Sequence, residues 1–253
     1  MDESPSTTLE SKIATLLSLE DSSAAIKAFE LSAELPEPGT RVADATARVL
    51  FDIGFRLERF ERNGDAVITY RRALRYPVID INLVAGTWFR IALLADRSGA
   101  WIEARAGFRK ALELAPSWFY MAALARYHLA NLAAAEEDYT EAAALYLTLE
   151  SGPAHPEIQS EKVVLELGRC LLRSGERGSA REKLERLLEL FADSPLAVEA
   201  YKLLAEIHEQ DGASADAVQV YQRIVASAHA EPALKAAAAH RVAALHSKTG
   251  GAR

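Results

Sequence analysis

An alanine recurs along this chain at a nearly constant interval. It occupies positions 66, 104, 142, 180 and 217, so that successive spacings are 38, 38, 38 and 37 residues. Four positions after each alanine lies a large residue, and three positions after that lies a small or aliphatic one. Examples are Ala66-Tyr70-Ala73 and Ala104-Phe108-Ala111. Spacings of three and four place side chains on one face of a helix. The chain is therefore predicted to repeat one helical unit five times.

A second helical pattern precedes each alanine. It consists of a large residue, an aliphatic and a small residue side by side three positions later, and a further residue at helical spacing. The copies are Leu50-Ile53-Gly54-Leu57, Trp88-Ile91-Ala92-Ala95, Arg126-Leu129-Ala130-Ala133, Val164-Leu167-Gly168-Leu171 and Tyr201-Leu204-Ala205-His208. The small residues permit close approach of two helices. Each unit is therefore predicted to be a helix pair.

Turn signals separate the two helices of most units. They are Asn63-Gly64, Ser98-Gly99, Ser174-Gly175 and Asp211-Gly212, whereas the third unit reads Glu136-Glu137-Asp138 without glycine. Glycine readily adopts the left-handed conformation that ends a helix. Prolines, which cannot continue a helix, follow the second helices at Pro77, Pro116, Pro153, Pro195 and Pro232.

Together these features resemble the tetratricopeptide repeat. The segment from Trp88 to Pro116 matches that repeat nearly throughout, and the resemblance covers about residues 44–230. It implies an all-α fold, a right-handed α-solenoid of tetratricopeptide-like helix pairs. It also implies a role in binding other proteins, without specifying a partner.

The predicted organisation is one solenoid domain over residues 7–247. A disordered segment, 1–6, precedes it and a flexible tail, 248–253, follows it. Within the domain the sequence predicts a degenerate helix pair, five repeats and a C-terminal capping helix. Their ranges are 8–35 for the degenerate pair, 44–77, 85–118, 123–156, 161–195 and 198–231 for the repeats, and 231–247 for the capping helix.

The charge of −7 argues against nonspecific binding of nucleic acid. Basic side chains outnumber acidic ones only in residues 41–126, which hold 14 and 9 respectively. The basic runs Arg71-Arg72-x-x-Arg75 and Arg105-x-x-x-Arg109-Lys110 are explained equally well as solvated helix faces. We therefore expect no nucleic-acid partner.

The chain lacks the sequence signals of several other classes of protein. The first eight residues are acidic where a secretory signal is basic, and no run approaches the roughly 18 apolar residues of a membrane span. We expect a cytoplasmic protein. The single cysteine, Cys170, has no Cys or His at metal-ligand spacing, and no catalytic or phosphate-binding motif is evident. We expect no enzyme activity, metal or cofactor.

The tryptophans are interpreted as packing residues. Trp88 occupies the signature large position and is predicted to lie in the core. Trp101 opens the second helix of its unit and is predicted to pack between helices. Trp118 follows a repeat proline, and packing between repeats is the favoured interpretation over exposure.

The candidate binding site lies on the first helices, which line the concave face in this type of repeat. Aromatic and aliphatic positions edged by arginine are typical of interface anchors. The residues are Arg48, Phe51, Phe55, Arg59, Phe89, Arg90, Leu93, Arg97, Tyr127 and Asn131. The alternative is that these side chains pack between adjacent first helices.

Further along the chain the corresponding positions become polar and acidic. A partner segment with apolar and acidic residues is therefore expected to prefer the N-terminal half. Some tetratricopeptide proteins bind a C-terminal carboxylate through a Lys/Asn/Lys/Arg set on three successive first helices. The possible registers here place Phe51, Phe55 and Arg90, or Phe89, Leu93 and His128, at those positions. No carboxylate-clamp binding of a chaperone tail is expected.

The resulting hypothesis is a scaffold or adaptor that binds a peptide or helix of a partner in its groove. An alternative is a structural subunit or assembly factor of a multi-protein complex, or a self-assembling protein. Phe191-Ala192-Asp193-Ser194-Pro195 and Glu199-Ala200-Tyr201 also resemble repeats of bacterial envelope-assembly proteins. Apolar residues in the groove favour the first hypothesis, and apolar residues on the outer face favour the second.

Overall fold

The computed structural model describes residues 5–36, 38, 43–78, 80–114 and 120–250. Over these residues it contains thirteen α-helices and no strand. The helices are α1 Pro5–Ser18, α2 Ser22–Ser32, α3 Ala43–Arg59, α4 Asn63–Ala73, α5 Ile81–Arg97, α6 Trp101–Leu114, α7 Tyr120–Ala135, α8 Tyr139–Ser151, α9 Ser160–Arg173, α10 Arg177–Leu190, α11 Ala197–Gln210, α12 Ser214–Ala226 and α13 Pro232–Gly250. The all-α prediction is confirmed.

The chain divides into two compact units. Unit 1 is Met1–Arg126 and unit 2 is Tyr127–Arg253. Within unit 1, α3 contacts α4 and α5 contacts α6; within unit 2, α9 contacts α10 and α11 contacts α12. First helices of successive pairs also contact each other, α3 with α5 and α9 with α11. Each unit is therefore built from the predicted helix pairs, with first helices side by side.

The recurring alanines lie where the two helices of a pair meet. All five are fully buried. The large residue four positions later is also buried in the first four units, as Tyr70, Phe108, Tyr146 and Leu184, and is half-buried as Tyr221. The period read from the sequence is thus the period of helix-pair packing.

Helix α5 begins before its predicted repeat boundary. The predicted repeats 44–77 and 85–118 leave residues 78–84 between them, but α5 starts at Ile81. The carboxylate of Asp80 accepts hydrogen bonds from the backbone N–H groups of Asn82 and Leu83, at 3.0 and 3.3 Å. This side chain satisfies donors that the first helical turn leaves unpaired.

Two tryptophan predictions need correction. Trp88 is half-buried, whereas its neighbours Thr87 and Phe89 are buried. Tryptophan is seldom enclosed completely because it is so large. Trp101 is 57% exposed, because it is the first residue of α6 and extends from the helix end. Trp118 lies outside the described residues.

The turn within each pair contains one residue with left-handed backbone. Glycine takes this conformation at Gly99, Gly175 and Gly212, as predicted. In the first pair Glu61 takes it, with φ of 60°, whereas Gly64 lies in the first turn of α4. In the third pair the residue is Glu137, with φ of 63°. All five turns are closed by a hydrogen bond from a backbone N–H to the carbonyl oxygen five residues earlier. These bonds run from Arg62 to Leu57, Ala100 to Ala95, Asp138 to Ala133, Glu176 to Leu171 and Ala213 to His208.

Replacing the left-handed glutamates by glycine is expected to stabilise the protein. Left-handed backbone costs a non-glycine residue about 1–2 kcal/mol, and the entropy of glycine offsets part of the gain. Glu137→Gly and Glu61→Gly are each expected to raise the unfolding free energy by about 0.5–1 kcal/mol in urea titrations. The control Gly175→Ala, in the equivalent turn with φ of 92°, should lower it. A destabilising effect of Glu137→Gly would contradict this account.

The ends of the chain contain more helix than expected. Helix α1 begins at Pro5, inside the segment 1–6 predicted to be disordered, and residues 1–4 lie outside the described ranges. Helix α13 continues to Gly250, inside the tail 248–253, of which 251–253 lie outside them. Pro232 begins α13, a position where proline is tolerated because its missing N–H would be unpaired. Pro116 also falls outside the described residues.

Candidate functional site

Phe89 does not contribute to the surface of unit 1. It is 2% exposed, and its ring centroid lies 5.6 Å from that of Phe108 on α6. Helix α5 contacts α3, α4 and α6, so a wide arc of its circumference is enclosed. Phe89 lies within that arc and is a core residue.

Phe51 packs between helices. Its side chain is half-buried, and its ring lies 5.6 Å from the ring of Tyr70 on α4. On α5, a Cβ built at Gly86 would lie 3.9 Å from Phe51 Cε2. Phe51 thus adopts the packing role that the sequence left as an alternative.

Phe55 is the exposed aromatic residue of α3. It is 40% exposed, and the guanidinium carbon of Arg90 lies 4.7 Å from the ring centroid. This cation–π contact holds the ring between α3 and α5. The exposed part of the ring is available to a partner.

Arg90 is held by buried polar groups. Its Nη1 lies 3.6 Å from Oε2 of Glu58, and the Tyr70 hydroxyl donates to the same oxygen at 2.8 Å. The Glu58 side chain is itself almost fully buried. Burial, and then the charge of Glu58, raise the pKa of Tyr70 above its usual range. The hydroxyl therefore stays protonated and remains a donor.

The other predicted arginines of unit 1 differ in their partners. Arg48 Nη2 lies 2.7 Å from Asp80 Oδ2, and Arg59 Nη1 lies 3.4 Å from Glu20 Oε1. Arg97 is exposed at the end of α5, and Leu93 is half-buried one turn before it.

Tyr127 and Asn131 of unit 2 both contact Tyr146. The Tyr127 ring packs edge-on against the Tyr146 ring with centroids 6.4 Å apart, and Lys162 Nζ lies 6.0 Å from its centroid. Asn131 Oδ1 accepts a hydrogen bond from the Tyr146 hydroxyl at 2.6 Å. A buried tyrosine needs such a partner, so these contacts position α7 against α8 and α9.

A second polar group repeats the arrangement around Glu58. In unit 2 the Tyr221 hydroxyl donates to Glu209 at 2.9 Å, and Arg241 of α13 donates to both oxygens of Glu209. Burial, then the hydrogen bond to Glu209, raise the pKa of Tyr221. Arg241 lies 20 positions after Tyr221, as Arg90 does after Tyr70. Helix α13 therefore continues the register of the first helices, a spacing that the sequence analysis missed.

Unit 2 also contains a cavity that the sequence pattern did not predict. Its volume is about 390 Å³, and it lies among α9, α11, α12 and α13. Helix α13 contributes Leu234, Ala237, Ala238 and Arg241. The alanine-rich centre of this helix leaves the space open. Composition could have suggested small side chains there, but not the cavity itself.

Cys170 is a buried core residue. It is fully enclosed, and burial raises its pKa to about 11. Because the thiolate is the reactive form, at pH 8 it is expected to alkylate about a hundredfold more slowly than a thiol of ordinary pKa. Iodoacetamide labelling followed by mass spectrometry, with and without urea, measures this ratio. Equal labelling rates of Cys170 with and without urea would show that unit 2 opens readily.

Two further properties bear on the class of protein. No group of three or more His, Cys, Asp or Glu side chains in the described ranges is arranged to hold a metal ion. Within the same part of the chain, no helix is long and apolar enough to cross a membrane.

Comparison with known proteins gives a family and a set of similar folds. A family model described as tetratricopeptide repeat matches residues 89–156 and 165–232. No curated protein matches the chain.

Three solved structures illustrate the similar folds. The structure of YrrB, described as "a TPR protein with an unusual peptide-binding site", shares 15% identity at a TM-score of 0.64, covering 87% of this chain and 99% of that one. MamA shares 19% identity at a TM-score of 0.52, covering 68% of this chain and 91% of that one. PilW, a type IV pilus biogenesis factor, shares 18% identity at a TM-score of 0.51, covering 85% of this chain and 94% of that one. At these identities the similarity concerns the fold alone.

Proposed function

This chain belongs to the tetratricopeptide repeat family, and we propose that it is a non-catalytic scaffold that binds a peptide or helix of a protein partner along its first helices. Proteins of this family are protein-interaction scaffolds. The description of YrrB as a protein with a peptide-binding site supports the same type of function. We also propose a cytoplasmic location, which agrees with the single buried thiol.

The observation that carries the proposal is the exposed ring of Phe55. Its neighbours Phe51 and Phe89 are packed, whereas Phe55 remains 40% exposed beneath Arg90. The Arg90 contact restricts the ring before any partner arrives, so binding costs little conformational entropy. An ordered aromatic residue beside arginines is a typical hot spot. A partner segment with apolar and acidic residues would bury the ring and approach Arg59 and Arg97.

Affinity purification from cells that express the protein tests this proposal. Phe55→Ala is expected to reduce retention of a specific partner about tenfold, the equivalent of ~1.4 kcal/mol. Leu147→Ala is the matched control, because Leu147 is similarly exposed but lies on the second helix α8. Both variants should keep the wild-type circular dichroism. Identical partner recovery with Phe55→Ala would contradict the proposal.

A second candidate is a structural subunit, an assembly factor or a self-assembling protein. Three large apolar side chains on second helices of unit 1 favour it, because Ile68, Trp101 and Ile102 are 59%, 57% and 89% exposed. The positions equivalent to Trp101 and Ile102 in the other pairs are Asn63-Gly64, Tyr139-Thr140, Arg177-Gly178 and Ser214-Ala215. The fold therefore does not require an apolar pair there. The description of PilW as a biogenesis factor is consistent with this candidate.

The double variant Trp101→Ala, Ile102→Ala separates the two candidates. If the second candidate holds, the double variant should lose partner proteins or show a lower mass in light scattering, and Phe55→Ala should show neither effect. If the first holds, the pattern reverses. Both side chains are exposed, so the double variant should fold normally.

A further inference from the structure

The cavity in unit 2 has an apolar floor. Leu203 of α11, Ile224 of α12 and Ala238 of α13 line it and are buried, and Leu234 lines it half-buried. A volume of about 390 Å³ is within the range of small-ligand sites. An aliphatic or aromatic side chain that enters would lose contact with water over much of its surface. The floor therefore favours an apolar group.

Charged side chains form the rim of the cavity. Four cations line it, Arg169, Arg173, Lys202 and Arg241, together with two carboxylates, Glu199 and Glu206. Arg173, Lys202 and Arg241 are each more exposed than either carboxylate. Arg241 is paired with Glu209 and Arg169 also with Glu166, so an entering group would meet the exposed ends of Arg173 and Lys202 first.

Both rim carboxylates are shared between donors. Glu199 accepts from Lys202 Nζ at 2.7 Å and lies 3.2 Å from Arg169 Nη1. Burial acts to raise the pKa of Glu199, but the hydrogen bonds and charges of Lys202 and Arg169 outweigh it, and the pKa is lowered. Glu206 lies 3.3 Å from Arg173 Nη1 and accepts from the amide of Gln210. Both carboxylates hold the rim cations in place and offset part of their positive charge.

The cations retain donors for a further anion. Arg173 contacts Glu206 through Nη1, which leaves Nη2 and Nε, and Lys202 contacts Glu199 with one of its three N–H groups. A carboxylate between these side chains would form charge-assisted hydrogen bonds, which are stronger than neutral ones. The apolar floor lies beside this position, because Leu203 and Leu234 line the same cavity as Arg173 and Lys202.

We propose that this cavity binds an acidic side chain and an adjacent apolar side chain of a partner peptide. The carboxylate occupies the rim between Arg173 and Lys202, and the apolar side chain contacts Leu203 and Leu234. The inference rests on the proposed function, because it assigns part of the same partner to unit 2. It differs from the expectation that such a segment prefers the N-terminal half.

A peptide array tests the proposal with the full chain. The probes are nonapeptides in which one Glu lies one to three positions from a Leu or Phe, with matched sets carrying Gln or Lys in place of Glu. Binding of the best Glu peptide to the purified protein is then measured by fluorescence anisotropy. Glu peptides are expected to bind at least about fivefold more tightly than their Gln counterparts, and less tightly at high salt.

Two matched pairs of variants locate the binding. Ala237→Phe fills the cavity from an exposed helix position, while Ala236→Phe adds the same group to the same helix outside the lining. Lys202→Gln removes a rim charge, while Lys110→Gln removes a similarly exposed lysine that also pairs with a glutamate three positions away. Ala237→Phe should weaken binding about tenfold and Lys202→Gln about fivefold. Both controls should stay within about twofold of wild type.

The outcomes separate this inference from the proposed function. Equal affinity for Glu and Gln peptides, no peptide binding, or no effect of Ala237→Phe would each overturn the inference. The proposed function would still stand if Phe55→Ala lost its partner in the affinity purification. Slow labelling of Cys170 in each unit 2 variant shows that the unit remains folded.

Discussion

Phe89→Ala is expected to lower the unfolding free energy by about 3–5 kcal/mol, the range typical of large aromatic-to-alanine changes in a core. The ring is almost completely enclosed and packs on Phe108. Its removal loses apolar burial and leaves a cavity that surrounding helices fill only in part. Urea unfolding followed by circular dichroism measures the change.

The matched control for this prediction is Phe55→Ala on the neighbouring first helix. The same atoms are removed, but Phe55 is 40% exposed and its loss leaves a surface depression. We expect a cost of no more than about 1 kcal/mol, including the lost cation–π contact. Similar costs for the two variants would show that Phe89 and Phe55 lie in equivalent environments, contrary to the structure.

Gly54→Ala is the prediction with the next largest effect. A Cβ at this position would lie 2.6 Å from Cε1 of Tyr70, far inside contact distance. The hydrogen bond from Tyr70 to Glu58 resists movement of the ring. Overpacking of a core typically costs about 1–3 kcal/mol, and Gly168→Ala should behave alike because its Cβ would lie 2.8 Å from Leu184.

Gly64→Ala and Gly178→Ala are the controls for these glycine variants. Both residues lie at the start of second helices, and a Cβ at either would meet no atom within 4 Å. Replacement by alanine should stabilise the protein by about 0.4–1 kcal/mol, because alanine reduces the entropy of the unfolded chain. Thermal or urea unfolding should thus give opposite signs for Gly54→Ala and Gly64→Ala. The same sign would mean that α3 and α4 do not approach each other this closely.

The phenylalanine variants also concern the candidate site. Replacing Phe51, Phe55 and Phe89 together would test stability and binding at once, because Phe51 and Phe89 are packed. A single change at Phe55 leaves the core intact. Loss of a partner with this variant would therefore report on recognition itself.

The sequence determined the repeating architecture. Side chains at spacings of three and four must share one helix face, and the recurring alanine marks where two helices meet. The left-handed turn residues recur with the same spacings, at 61, 99, 137, 175 and 212. The third turn formed without glycine because Glu137 adopts the required backbone. A local pattern was sufficient because helix-pair packing depends on residues close in sequence.

The tertiary structure decided which side chains on the first helices are exposed. Phe55 and Phe89 lie one helical turn apart in the repeat, because Phe89 is equivalent to Phe51 and Phe55 to Leu93. Both were predicted groove positions, but Phe89 is enclosed against Phe108 of α6, whereas Phe55 lies beneath Arg90 and remains 40% exposed. Ion pairs such as Arg48–Asp80, Arg90–Glu58 and Arg241–Glu209 join residues 32 positions apart. The cavity likewise requires α9, α11 and α13 together. Periodicity specifies the face of a helix, whereas exposure and charge pairing depend on neighbours that the local pattern does not specify.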